Sequence, residues 1–461
     1  MESRSLKYFA ESCAGEQIHG SPDSMIRRIS TDSRRTQAGD LFVALEGERF
    51  DGHNFLEQVA SNGVSAVIVN RSKLAGGFDR CAVLAVESTR RALTQMAKRY
   101  RQDFSLPIIS VGGSNGKTTT KDLLASVLSE KLPTLWSEAS FNNDIGVPLT
   151  LLNLEQTHRV AVMEVGTNHP GELAPLVEMI RPDYGVLTSI GREHLEFFGD
   201  IEGVAEEEGW LAELLPAHGK LFVNGDSPEV EKIVQRTRAS VVRVGISKGN
   251  DWRASQVRAD EAGLNFQVDV SDGNYAGEYR LNLLGRHQVV NALLAIAVGK
   301  EFGLSSVQIQ SGLDKCRASK MRLQLWKVKD VQVLDDTYNA NADSMRAALE
   351  TLHDFPCRGR RIAVLGDMAE LGEHELAAHA EVGRHAAELG VGHLFAVGKM
   401  ALVVARAARE AGLSAVREFI AVEAAASALR DFVQAGDVVL LKASRAARLE
   451  RIGDVLRNVA T

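Results

Sequence analysis

The stretch Ile108-Ile109-Ser110-Val111-Gly112-Gly113-Ser114-Asn115-Gly116-Lys117-Thr118-Thr119 decides how this chain is read. A short β-branched run follows Pro107, a glycine-rich turn follows the run, and Leu123, Leu124, Val127 and Leu128 then recur at helical spacing. Strand, glycine turn and helix in that order make a phosphate-binding loop. Glycines let successive N–H groups turn inward around phosphate oxygens, and the helix start adds the positive end of its dipole. A lysine at position 117 reaches the β- and γ-phosphates of ATP, and the Thr118 hydroxyl can ligate Mg2+. Gly113, Ser114, Asn115, Gly116, Lys117, Thr118 and Thr119 are therefore assigned to ATP. The strict form of the motif has a glycine where this chain has Val111, so the loop is a shorter G-x-x-G-K-T variant. A glycine turn with no ligand is the plain alternative, and the agreement of motif with flanks weighs against it.

Working outward, three textures follow one another. Residues 1–85 carry short apolar runs, Leu41 to Leu45 and Ala66 to Val69, separated by Gly, Asp and Asn turn signals, which predicts a small α/β domain. Residues 86–315 alternate strand and helix, with strands expected at 108–111, 160–163 and 184–190, the pattern of parallel βαβ units. Within that region 251–284 alternates apolar and polar, as in Leu264-Asn265-Phe266-Gln267-Val268-Asp269-Val270, which predicts an antiparallel patch before a helix over 291–302. Residues 316–461 reset to two strands around Lys329-Asp330, then strands at 362–365, 394–397 and 438–441 among alanine-rich helices, a second doubly wound unit. The fold expected is α/β in three domains, the central one a P-loop parallel sheet with an added antiparallel patch.

Composition bounds the partners. A chain of 461 residues divides into roughly three domains at about 150 residues each. Acidic residues outnumber basic ones 60 to 53, giving a net charge of −7, which offers no footprint for nucleic acid. The four cysteines, Cys13, Cys81, Cys316 and Cys357, are far apart and suggest neither a zinc site nor a disulfide framework. No run approaches the roughly 18 apolar residues of a membrane span, and Met1 to Arg4 leads into no signal-peptide core. A cytoplasmic monomer is expected.

Downstream segments narrow the class: Phe141-Asn142-Asn143-Asp144, Glu164-Val165-Gly166-Thr167-Asn168-His169, Gly191-Arg192-Glu193-His194-Leu195-Glu196, Gly285-Arg286-His287 with Asn291, Tyr338-Asn339-Ala340-Asn341, Gly366-Asp367-Met368-Ala369-Glu370-Leu371-Gly372, and Lys442-Ala443-Ser444-Arg445. Together they resemble the Mur ligase family over the whole chain, and within it the member that adds D-alanyl-D-alanine to UDP-N-acetylmuramoyl-tripeptide. The resemblance implies that residues 1–85 hold the UDP part, 86–315 hold ATP, and 316–461 close over ATP and bind the dipeptide. It implies an acyl phosphate, formed when a substrate carboxylate takes the γ-phosphoryl group and consumed when the dipeptide amine attacks. Closure that excludes water suits so labile an intermediate.

By the same resemblance, Lys117, Glu164 and His194 are catalytic, and Thr118, Glu164 and His194 hold Mg2+; Glu208 joins both sets on its own chemistry, as a carboxylate standing where the family carries another. Glu164 ends an apolar strand, where a carboxylate faces the ligand crevice of a parallel sheet. Imidazole is not a preferred partner of so hard a cation, so His194 rests on its motif alone. Asn291, Arg322 and Asp336 are expected around the adenine, phosphates and ribose. Ser33, Arg34, Asp51 and His53 are expected around the UDP moiety, with Arg34 suited to clamping a diphosphate. Asn142, Asn143, Asn339, Asn341, Lys442, Ser444 and Arg445 are expected at the substrates, with Asp367 nearby. Against each stands a plain reading: a helix-start or strand-end polar group, turn chemistry around Gly52, or a solvated ion pair. The chain departs from the family in Ala139-Ser140 where Gly-Asn is common, in Gln288 where an Asn is common, and in Ala443 where a glycine is common.

Glu208 is the most informative departure, because the family usually carries a carbamylated lysine there. Such a lysine is a carboxylate on a long arm, and glutamate can supply the anionic oxygens directly; a solvated acidic face over Glu206, Glu207 and Glu208 is the alternative. A different ligase of the superfamily, adding diaminopimelate or glutamate, and a P-loop NTPase that ligates nothing are the competing functions, and Tyr338-Asn339-Ala340-Asn341 argues against the former. If Glu208 does the carbamate's work, Glu208→Gln should lose at least about tenfold more activity than Glu207→Gln. Wild-type turnover should also be indifferent to CO2 depletion, and equal mild losses in the two variants would remove the idea.

Overall fold

The computed structural model describes residues 1–47, 50–74 and 79–458. It divides into two compact units, one of Met1–Ser110, Leu132–Thr167 and Glu172–Tyr184, the other of Val111–Lys131, Asn168–Gly171 and Gly185–Thr461.

In the first unit, the apolar runs read near the start become adjacent parallel strands, Asp40–Val43 and Ala66–Asn70. They lie in a five-stranded sheet ordered Glu16–His19, Ala82–Val86, Ala66–Asn70, Asp40–Val43, Arg28–Ser30. Only Glu16–His19 runs antiparallel to its neighbour. Phe42, Val67, Val69 and Val83 close a small core with Val59 from the helix Leu56–Ser61. Val160–Glu164 pairs in parallel with Thr134–Trp136, which places Glu164 at a strand end as expected.

In the second unit, the loop helix is Lys117–Leu128. Lys220–Asn224 and Ser240–Gly245 are parallel, and Ser240–Gly245 is parallel to the start of Trp252–Asp260. The chain then reverses through Gly263–Val270 and Gly277–Leu281, the antiparallel patch read from the alternation. The strand expected at 184–190 is shorter, Tyr184–Leu187: the Thr188 N–H still bonds Gly112 O at the end of the strand Ile108–Gly112, but Ser189 and Gly191 bond Ser114 and Asn115 in the glycine loop. The helix Gln288–Glu301 is apolar nearly all round and buried.

The last part is a six-stranded sheet ordered Gln324–Val328, Val331–Asp336, Val438–Lys442, Arg361–Leu365, His393–Val397, Val416–Phe419. Only the first pair, joined through Lys329-Asp330, is antiparallel. Strand periodicity sorts its core onto two faces. Leu334, Leu440, Ala363, Leu365 and Leu394 meet the helices Ala342–Asp354, Glu375–Glu388 and Ala401–Glu410. Val333, Val439, Leu441, Ile362, Val364 and Phe395 meet Val422–Phe432 and Glu450–Asn458. Both faces are covered, as a parallel sheet requires. The last strand sits between Val331–Asp336 and Arg361–Leu365, so Asp336 and Lys442 lie at matched strand ends.

The loop helix is held by two glycine contacts on its flank. A Cβ on Gly312, in the helix Ser306–Lys315, would stand 2.4 Å from the Val127 Cα, whereas one on Gly299 would meet side-chain ends of Ile309 and Val127 at 2.9 and 3.0 Å. Backbone cannot yield as a side-chain tip can. Gly312→Ala should therefore destabilise by about 1–3 kcal/mol and lower the thermal midpoint, with Gly299→Ala losing clearly less.

Candidate active site

The turn out of the strand Ile108–Gly112 is possible because Gly113 and Gly116 take φ of +109° and +89°, angles that side chains resist. A side chain on Gly116 would also strike Asn291 Oδ1 at 2.7 Å. The loop is strapped to the segment after Leu187. Ser114 N–H donates to Ser189 O at 2.7 Å, Asn115 N–H to Ser189 Oγ at 3.2 Å, and Gly191 N–H to Ser114 Oγ at 2.9 Å. Gly113 N–H donates to Glu208 Oε2 at 2.7 Å. The amides of Gly113, Ser114 and Asn115 are thus bonded within the protein, and the loop runs on through Gly116 into the helix that starts at Lys117.

Lys117 curls back over this loop. Its Nζ donates to Gly113 O, to Ser114 O at 3.2 Å, and reaches Glu193 Oε2 at 3.5 Å. Glu193 is buried, and burial pushes its carboxyl above the usual range against the pull of Lys117 and His194. Glu208 has no exposed surface; burial pushes its carboxyl up to about 7, opposed by Lys117 and the Gly113 N–H. Its second oxygen, Oε1, is buried with no hydrogen-bond partner among the described residues. The neighbouring Glu207 accepts from Gly171 N–H at 2.9 Å and is buried too, so of the acidic run Glu206 alone is exposed to solvent.

His194 stands at φ +50° just before the short helix Leu195–Phe198, with its Nδ1 bonded to Glu370 and its Nε2 4.0 Å from Glu193 Oε2. The His194 bond holds the Glu370 carboxyl below the usual range. Asn291 Nδ2 donates to Gln288 Oε1 at 2.7 Å while its Oδ1 packs against Gly116. The departure at Gln288 therefore supplies the acceptor that fixes Asn291.

At the carboxyl ends of the six-stranded sheet, Lys442 Nζ meets Asp336 Oδ2 at 2.5 Å and Asn339 O at 3.2 Å, and Lys442 is buried. Asp336 Oδ1 accepts the Leu323 N–H at 3.1 Å. The Arg322 guanidinium lies over the Tyr338 ring at 4.1 Å. Asn341 caps the helix Ala342–Asp354 by accepting the Ser344 N–H and donates from Nδ2 to Asn115 Oδ1 at 3.0 Å. Ser444 Oγ donates to Asp367 O, the Asp367 carboxylate accepts the N–H groups of Lys399 and Met400, and exposed Arg445 pairs with Glu450 at 3.1 Å.

In the first unit, Glu164 is buried, takes Asn142 Nδ2 on Oε1 at 2.9 Å, and donates its N–H to Ser137 Oγ. Asn143 Oδ1 accepts the N–H groups of Ile145 and Gly146 at the start of the helix Gly146–Leu151. Ser33 and Arg34 lie in a 3-10 turn, Ser33–Arg35, where exposed Arg34 pairs with Asp32 at 2.8 Å. His53 is committed at both ring nitrogens, Nδ1 to Asp51 at 2.6 Å and Nε2 accepting the Asn70 N–H at 2.9 Å. Accepting at Nε2 fixes the neutral Nδ1–H tautomer, so His53 pins Asp51, which also meets Lys73 at 2.5 Å.

The residues that motif reading passed over are Glu193, Glu370 and the pair Asp343 and Glu381 around Arg192. Glu193 and Glu370 sit inside quoted motifs, next to or matched with His194, which is the signal that could have found them. Among the described residues no three His, Cys, Asp or Glu side chains gather as a ready metal cage. A Mg2+ carried by phosphate oxygens needs only one or two protein carboxylates.

Three family models match the chain: "Mur ligase family, catalytic domain" over 25–101, "Mur ligase middle domain" over 111–299 and "Mur ligase, glutamate ligase domain" over 321–445. A Bacillus subtilis protein named UDP-N-acetylmuramoyl-tripeptide--D-alanyl-D-alanine ligase is 33% identical over 98% of each chain. Its Escherichia coli namesake is 34% identical over 95% of each. A crystal structure of MurF from Acinetobacter baumannii superposes with a TM-score of 0.89 at 33% identity over 99% of both chains. MurF from Thermotoga maritima in complex with ADP gives 0.81 at 29% identity, over 94% of this chain and 97% of that one.

The Glu208 environment has a consequence for stability. A carboxyl whose folded pKa rises from 4.5 to about 7 binds its proton more tightly folded than unfolded, so stability falls as pH climbs through that window and the loss is complete above it. Glu208→Gln keeps an acceptor for the Gly113 N–H and has no charge to bury. Its stability relative to wild type, from urea unfolding without nucleotide, should rise by up to about 3 kcal/mol between about pH 4.5 and pH 8. A pH-independent difference would contradict the assignment.

Proposed function

The chain belongs to the Mur ligase family, and we propose that within it the chain joins D-alanyl-D-alanine to UDP-N-acetylmuramoyl-tripeptide, driven by ATP. A tripeptide carboxylate oxygen attacks the γ-phosphorus, and the bond to the β–γ bridging oxygen breaks to leave ADP. The dipeptide amine then attacks the acyl carbon, the carbon–oxygen bond to phosphate breaks, phosphate leaves, and the nitrogen sheds a proton to become an amide. Curated relatives of this name match over nearly the whole chain, at 33% and 34% identity.

One observation carries the reading at the level of atoms: Lys117, Glu193 and Glu208 crowd the loop mouth. Lys117 is the cation placed to follow the transferred phosphoryl group. Glu208 Oε1, buried without a donor, fits a hard cation, and Thr118, Glu164 and His194 complete the residues we assign to Mg2+. Bound there, Mg2+ would neutralise phosphate oxygens and sharpen γ-phosphorus as an electrophile. Gly113–Thr119, Asn291, Arg322 and Asp336 are assigned to the nucleotide, Gly113, Ser114 and Asn115 as the internally bonded frame of the loop and Gly116 to Thr119 as the helix start that meets the phosphates, with Asn291 also buttressing Gly116. Lys442 acts by holding Asp336 in place, since its ammonium is buried against that carboxylate. In the same way His53 acts by holding Asp51. Asn142, Asn143, Asn339, Asn341, Ser444 and Arg445 are assigned to the peptide substrates, and Ser33, Arg34 and Asp51 to the UDP part.

We assign the UDP substrate to residues 1–85, ATP to 86–315 and the dipeptide to 316–461. We assign the protein to the cytoplasm, as a monomer. Among the described residues no helix is long and apolar enough to cross a membrane.

Phosphate release should require ATP, Mg2+, UDP-MurNAc-tripeptide and D-alanyl-D-alanine together, with Lys117→Met lowering kcat by at least about a hundredfold. Release with diaminopimelate or glutamate in place of the dipeptide would move the chain to another ligase of the family. Nucleotide binding with no amine-dependent release would leave a non-ligating NTPase.

A further inference from the structure

We propose that Arg192 is a positioning residue that seats the Ala342–Asp354 helix on the phosphate loop and so couples nucleotide to amine substrate; the proposal rests on the ligase reading above. Arg192 follows the glycine that touches Ser114, and its guanidinium forks two carboxylates from two helices. Nε and Nη2 donate to Asp343 Oδ1 at 3.0 and 2.8 Å, while Nη1 and Nη2 donate to Glu381 Oε2 and Oε1 at 2.8 and 3.0 Å. The Arg192 backbone N–H adds a fifth bond, to Asp343 Oδ2 at 2.8 Å.

The approach is close enough to dictate residue type. A Cβ on Gly191 would stand 2.8 Å from Asp343 Oδ2 and 3.2 Å from Asn115 Nδ2. Two residues before Asp343, Asn341 reaches Asn115 in the loop itself. The chain of contacts therefore runs from Ser114 and Asn115, through Gly191 and Arg192, to the first turn of the helix that follows Tyr338-Asn339-Ala340-Asn341.

An ordinary surface ion pair would not explain this arrangement. Single pairs at such exposure are weak. Here every nitrogen of one guanidinium is aimed at a carboxylate, and a main-chain amide shares the target. What that geometry supplies is orientation, which a planar fork gives and a lysine ammonium does not. The segment oriented is the one assigned to the dipeptide, and the segment it is oriented against is the one assigned to ATP.

The test uses the full chain with Arg192→Ala, Arg192→Lys, Asp343→Ala and the Arg192→Ala/Asp343→Ala double variant. Three quantities are read: amide hydrogen exchange across 342–354, the Kd for ATP with Mg2+ by calorimetry, and phosphate release against D-alanyl-D-alanine concentration. Arg192→Ala should speed exchange in that helix and lower kcat/KM for the dipeptide by about tenfold each, with the ATP Kd moving less than about twofold. Arg192→Lys should recover only part of the loss, and the double variant should be no worse than the worse single one. Unchanged exchange and kcat/KM, an ATP Kd weakened as much as kcat/KM, full rescue by lysine, or additive losses would each overturn the proposal. Should wild type release no phosphate at all, the ligase reading fails while exchange and the double variant still decide the coupling.

Discussion

Gly113 and Gly116 turn the chain from a buried strand into a helix through angles open to few other residues, and the surrounding residues are built against that turn. Asn291 fills the space a side chain on Gly116 would need, Ser189 takes the amides on the far side, and Glu208 takes the Gly113 N–H from beneath. Each contact lets the backbone be approached closely, and each is lost if the turn relaxes. The two glycine contacts on the flank of the helix, at Gly299 and Gly312, extend the same logic outward: close approach fixes the helix, and the helix fixes the loop.

That precision brings an electrostatic conflict. Glu193 and Glu208 are buried beside the Lys117 ammonium, so the mouth of the loop that we propose holds the ATP phosphates is lined with more acid than base. Burial disfavours both charged carboxylates, and Lys117 offsets only part of that. A nucleotide arriving alone would deepen the conflict, whereas one arriving with a divalent cation relieves it. In the function we propose, that acidic lining would favour the metal complex of the nucleotide over the free anion.

Local periodicity made much of this legible in the amino-acid sequence. The strand, turn and helix around Gly113, the alternation in 263–270, and the strands ending at Asp336 and Lys442 all stand where pattern places them. The strand Val416–Phe419 was not legible, because an edge strand carrying exposed Arg417 and Glu418 shows no buried face. Nor were the partners of the motif residues. Arg192 meets Asp343 across 151 positions of chain and His194 meets Glu370 across 176, and no spacing rule reaches that far. The same limit explains Lys442, which Asp336 engages across 106 positions; His53 differs, because Asp51 lies only two residues away and what pattern could not show is that the ring is already committed to it.

Asn341 holds two partners with opposite ends of one amide. Its oxygen receives the Ser344 N–H and its nitrogen gives a proton to Asn115 Oδ1, so the group cannot be flipped without breaking both. Aspartate has the same shape and would still accept from Ser344, yet it would turn an oxygen toward the oxygen of Asn115. A change of one atom thereby separates the capping of the helix start from its attachment to the loop, so this position calls for the amide and not merely for a side chain of that size.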